Sequence, residues 1–104
     1  TNYEDICNAV NLIIKAKGGI SLANGNEELV LELPIAGIMT NGPAEEVAEA
    51  YTKLDQRAKA LGSKLRAPYM SLSFMALLVI PELKLSDKGL FNGKSFQFTD
   101  VFVN

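Results

Sequence analysis

The stretch from Pro68 to Gly89, PYMSLSFMALLVIPELKLSDKG, is apolar at almost every position from Met70 to Ile80 and is closed by Pro81. A membrane-spanning helix needs about 20 apolar residues, so this run is too short to cross a bilayer and is expected to lie inside protein. Ser71 and Ser73 interrupt it where burial alone would select carbon. Either a short helix buried on all sides or a central strand satisfies such a run, and periodicity does not separate them. The length available before Pro81, with Met, Leu and Ala in it, favours a helix within 69–79.

Upstream, Ile6, Val10, Ile13 and Ile14 recur at helical spacing, with Asn8, Asn11 and Lys15 on the other side, which predicts an amphipathic helix over 3–17. Asn2 suits its N-cap, Glu4 and Asp5 its positive end, and Gly18 the left-handed stop. Cys7 falls on the apolar side and is expected to be an inert, buried thiol. Ile20 to Ala23 and Glu28 to Leu33 flank Asn24-Gly25, the strongest short hairpin signal, and Pro34 ends the second strand. Gly42-Pro43 opens a second helix, over 43–61, with Val47, Tyr51, Leu54, Ala58 and Leu61 as its inner stripe. After Pro81, Leu83 to Leu85 reads as a short strand, 87–89 and 92–93 as turns, and Phe96 to Val103 as a last strand with a bulge near Thr99. These elements predict an α+β fold, a mainly antiparallel sheet covered on one side by two or three helices.

With 104 residues and no repeat or long linker, the chain is expected to form a single domain, 1–104. It reads as a piece of something longer, since it opens at Thr1 and closes in an apolar segment. Lys+Arg number 10 against 12 Asp+Glu, and no basic stripe interleaves with aromatics, so nucleic acid is not an expected partner. Nor is a membrane. No leader-like segment marks export, and a lone cysteine excludes an internal disulfide, which fits a reducing cytoplasm. Histidine is absent. The commonest general base near neutral pH and the commonest metal ligand are therefore missing, and neither a catalytic residue nor a metal ligand is assigned to this chain.

Gly18-Gly19 could bring backbone N–H groups close to a ligand, but glycines that cradle phosphate precede a helix, and these follow one; a helix stop and turn is the simpler role. The segment Pro34 to Met39 is apolar where a solvent loop would be polar, which suits either an inter-domain contact or a core loop. Met70, Ser71, Ser73 and Phe74, beside Tyr69, form the one constellation that could face a substrate or another domain. Thioether and aromatic groups pack on a flat base, and hydroxyls satisfy a few polar atoms; the alternative is plain core packing with serine bonding back to the preceding turn. Glu82, Lys84, Asp87 and Lys88 make a mixed-charge patch with no sign of an acid/base pair.

The wording of AVNLIIKAKGGI (9–20), LELPIAGIMTNGPAEEVAE (31–49), the 68–89 stretch and the ending FTDVFV resembles, in order, the C-terminal region of the adenine deaminase family. The shared positions include Gly18, Gly19, Pro34, Gly37, Pro43, Pro68, Met70, Ser71, Phe74, Pro81, Lys88 and Gly89, with departures at Tyr69 and Leu78. The resemblance implies a parent hydrolase of the amidohydrolase type that converts adenine and water to hypoxanthine and ammonia in purine salvage. It implies a divalent metal, manganese, iron or zinc, held in a barrel whose motifs do not occur here, and no cofactor in this piece. The expected partners are that catalytic barrel and further copies of the protein, with this domain packing on the barrel or closing its site. A free-standing interaction or small-molecule-binding module descended from the domain is the alternative. An edge left uncovered by an upstream strand is further expected to promote self-association.

Overall fold

Asn2 starts the first helix in the computed structural model, which describes residues 2–103: its Oδ1 accepts the Asp5 N–H at 2.8 Å. Contacts group the chain into two units, Thr1–Lys64 and Leu65–Asn104. In the first, helix α1 (Tyr3–Ala16) leads to an antiparallel hairpin, β1 (Gly19–Asn24) and β2 (Glu27–Glu32), and then to helix α2 (Ala44–Ala60).

The end of α1 differs from expectation. Lys17, not Gly18, takes the left-handed conformation, at φ 59°, while Gly18 sits at φ 126° and returns its N–H to the Ile13 carbonyl at 3.0 Å. Glycine is required at 18 for a second reason: a Cβ there would lie 2.2 Å from the Gly37 Cα. Gly37 belongs to a tight reversal in which Ile35 and Met39 pair and Ala36 and Gly37 both have positive φ. The 34–39 segment is thus pressed by its backbone onto the end of α1, while Ile38 and Met39 keep their side chains exposed.

The hairpin register pairs Leu22 with Leu29 and Ser21 with Val30, so alternation sorts its residues onto two faces. One carries Ile20, Leu22, Leu29, Leu31 and Glu27. The other carries Ser21, Ala23 and Val30. Helix α1 lies against the second face, where Ser21 Oγ donates to the Ala9 carbonyl at 2.7 Å, and Asp5 Oδ1 accepts the Gly25 N–H of the turn at 2.8 Å. Helix α2 serves the first face. Leu54 of α2 and Leu22 are buried, at 3% and 7% exposure, and the Arg57 guanidinium grips both oxygens of Glu27 at 2.7 Å.

This arrangement reverses the face expected to be buried on α1. Ala9, Leu12, Ile13 and Ala16 are half-buried, whereas Ile6, Val10 and Ile14 are exposed, and so is Cys7. A hairpin face made of serine, alanine and valine lets the helix approach closely at Ala9 and Ala16, and Ile6, Val10 and Ile14 lie outside that contact while Leu12 and Ile13 stay half-buried.

In the second unit, helix α3 (Pro68–Ser73) runs into a 3-10 turn (Phe74–Ala76), followed by β3 (Leu83–Ser86), β4 (Gly89–Asn92) and β5 (Gln97–Thr99), antiparallel neighbours in that order. Sequence reading assigns only turns around β4, yet β4 is the central strand and its Phe91 is the buried residue of this unit. The rings of Phe96 and Phe98 meet Phe91 edge-on at 5.5 and 5.3 Å. The expected strand over 96–103 shrinks to Gln97–Thr99, because Phe96 adopts φ 56° to reach Phe91; there is no bulge, and Asp100 to Val103 join no strand. The fold class is α+β with antiparallel pairing, divided between two small sheets.

Two predictions follow from the first unit. Gly18→Ala and Gly62→Ala both place a side chain at a strained φ, but only Gly18 also meets backbone. Each is expected to lose about 1–3 kcal/mol to strain, with Gly18→Ala the clearly worse, as read from urea midpoints. The second concerns Glu27, whose carboxyl is held below the usual carboxylate range, chiefly by the hydrogen bond from Arg57. A lowered folded-state pKa gives stability that is present above the unfolded value of about 4.3 and disappears as pH falls through the lowered one. Glu27→Gln is therefore expected to reduce stability at neutral pH and to approach the parent in strong acid, measured by denaturant titration at a series of pH values.

Candidate functional site

Met70, Ser71, Ser73 and Phe74 lie on α3 and the turn that continues it. Pro68 occupies the first helical turn, where its missing N–H costs nothing, and the Ser71 N–H closes the first bond to the Ala67 carbonyl at 2.9 Å. Ser73 Oγ donates to the Met70 carbonyl at 2.7 Å, with Met70 Sδ 3.9 Å away. That hydroxyl is thus engaged by its own helix, as short helices often arrange. The 3-10 turn ends on the Leu77 N–H bonding to the Phe74 carbonyl at 3.2 Å.

The segment is a helix, as favoured, but it is not buried. Met70 and Met75 are each 55% exposed and Leu72 65%, with Phe74, Leu77 and Val79 also open. Two short turns of helix beside a three-stranded sheet have nothing in their own unit to cover the far side. Exposed apolar groups in such continuity mark interaction sites or ligand-binding grooves. Burial, the expectation drawn from composition, fails because among the described residues its own unit supplies no second layer there.

The first unit contributes an open groove of about 600 Å³ beside the start of α2, lined by Thr40, Gly42, Ala44, Val47, Ala48, Tyr51 and Thr52. Sequence reading passed over it; its signal is the small-residue spacing of Gly42, Ala44 and Ala48. Its walls hold methyls, hydroxyls and one phenol, with no carboxylate, imidazole or thiol, so it offers shape and hydrogen bonds but no acid/base pair. Elsewhere Glu82 pairs with Lys94, while Lys84 Nζ donates to the Ile80 carbonyl at 3.0 Å. The mixed-charge patch is thereby tied to its own loops.

Among the described residues, no three of His, Cys, Asp or Glu converge as metal ligands. Cys7 stands exposed on α1, its Sγ accepting from Asn11 Nδ2 at 3.6 Å. The chain's most developed surfaces are apolar and open.

The family model for the adenine deaminase C-terminal domain matches residues 1–97. The chain belongs to that family. Among curated relatives, adenine deaminases of Methanosarcina mazei, Salinibacter ruber and a Sulfurovum species are 50%, 52% and 56% identical over 97%, 95% and 91% of the chain. In each case the match takes up 18% of the relative, so this C-terminal domain spans under a fifth of the proteins it resembles. No solved structure matches it significantly. Among the described residues, no helix of the adenine deaminase C-terminal domain is long and apolar enough to cross a membrane.

The contrast between the two kinds of residue is testable. Ser73→Ala is expected to change stability by no more than about 0.5 kcal/mol, as for exposed sites generally, whereas Phe91→Ala is expected to cost about 3–5 kcal/mol. Thermal unfolding of the two variants compares them directly.

Proposed function

We propose that this chain is the C-terminal domain of an adenine deaminase, an enzyme that replaces the adenine amino group with oxygen from water to give hypoxanthine and ammonia. The observation that carries this reading is the family match over residues 1–97 in a chain without histidine or a converging ligand set. The metal, manganese, iron or zinc, would then be held by the remainder of the enzyme, a barrel domain. The role of this domain is to pack on that barrel and help shape or close the purine site, in a cytoplasmic enzyme that assembles from several copies.

The apolar face of α3 supports a packing role. Met70 and Phe74 project a thioether and a ring, groups that adapt to a partner surface, and Ser71 and Ser73 add hydroxyls beside them. These four are placed at the junction with the barrel, near enough to the purine site to influence its closure.

The test is to compare the full-length protein, its barrel portion alone, and residues 1–104 alone, each supplied with manganese and adenine, by ammonia release. Activity is expected from the full-length protein and none from residues 1–104. Met70→Glu with Phe74→Glu in the full-length protein is expected to lower kcat/KM by about tenfold or more, since burying unpaired charge at a packed contact costs over 1.4 kcal/mol. Ammonia released by residues 1–104 on their own would overturn the proposal.

A further inference from the structure

Helix α1 is apolar on two sides. The hairpin takes one of them, through Ala9, Leu12 and Ala16. At about 100° per residue, Tyr3, Ile6, Cys7, Val10 and Ile14 gather within an arc of roughly 100° on the opposite side, and all five are exposed. Tyr3 is 92% and Ile14 66% exposed. Glu4, Asn11 and Lys15 border this stripe along one edge, and the half-buried Ile13 continues it along the other. A continuous apolar stripe along a helix of 14 residues, with charge along one edge, is the form of a helix that packs into a groove.

We infer that the outward stripe of α1, centred on Cys7 and Val10, docks onto the barrel domain of the same enzyme chain, which presents an apolar groove to it. This rests on the proposed function for the identity of the partner. The occupant follows from length: the match accounts for 18% of each relative, so about four-fifths of such a protein lies outside these residues. A covalently tethered neighbour acts at an effective concentration in the millimolar range, far above that of a second copy, and reaches the stripe first. The close approach of Ala9 to Ser21 gives this single helix a hairpin-facing side and, with Ile6, Val10 and Ile14 left outside it, a partner-facing side.

Cys7 sits in the middle of the stripe and reports on its cover. Alkylation of Cys7 by N-ethylmaleimide, read by mass spectrometry of its peptide, is compared in native and denatured full-length protein. The native rate is expected to be at least tenfold slower, and Val10→Lys is expected to restore it to within about twofold of the denatured rate. Labelling of native protein at the denatured rate overturns the inference. Protection that vanishes on dilution to nanomolar protein overturns it too, because the occupant is then a second copy. Adenine turnover is measured on the same samples. Turnover with Cys7 freely labelled sinks the docking face and leaves the functional reading standing, whereas protection without turnover keeps the docking face and sinks that reading.

Discussion

The hydrogen bond from Ser21 Oγ to the Ala9 carbonyl fixes which side of α1 meets the hairpin, and most of the first unit depends on that choice. A helix can approach a strand closely enough for this bond only where both surfaces are small, and Ala9, Ala16, Ser21 and Ala23 provide the smallness. The same closeness recurs at the exit of α1, where Gly18 lies against Gly37 with no room for a methyl. Ile6, Val10 and Ile14 lie outside this contact and form an outer surface with the exposed Cys7 thiol beside them, while Leu12 and Ile13 are half-buried.

The opposite face of the hairpin is held differently. There Leu22 and Leu54 exclude water, and the Arg57 guanidinium holds Glu27 by two oxygens, a geometry that fixes α2 in register as well as in distance. The hairpin is thus anchored by close backbone approach on one side and by leucine packing with a forked ion pair on the other. In the second unit three phenylalanines around β4 do the equivalent work with rings meeting edge-on. Leu22, Leu54 and Phe91 are the only buried hydrophobic residues among those described, a small core for a chain this apolar. The chain spans under a fifth of the adenine deaminases it matches.

Chemistry is divided in the same way. The chain carries no imidazole, and its groove beside α2 is lined by methyls, hydroxyls and one phenol. What it does possess is adaptable apolar surface on α1 and on the segment from Met70 to Val79.

Local signals in the sequence determined the elements with short-range causes. Asn2 and the acidic first turn start α1, Asn24-Gly25 makes the hairpin, Gly42-Pro43 opens α2, Pro68 begins α3, and Gly18 and Pro34 end what precedes them. The ordered wording of four segments likewise pointed to the family. Only the tertiary structure decided which faces are buried. Periodicity marks both an inner and an outer apolar stripe on α1 without ranking them, and it cannot tell an apolar run covered by its own chain from one left for a partner. It also overlooks β4, whose four residues between two turns are too few to show a pattern. The ranking comes from volume and distance between elements remote in sequence, Ala9 against Ser21 and Gly18 against Gly37, and such pairs have no signature within the local window that patterning reads.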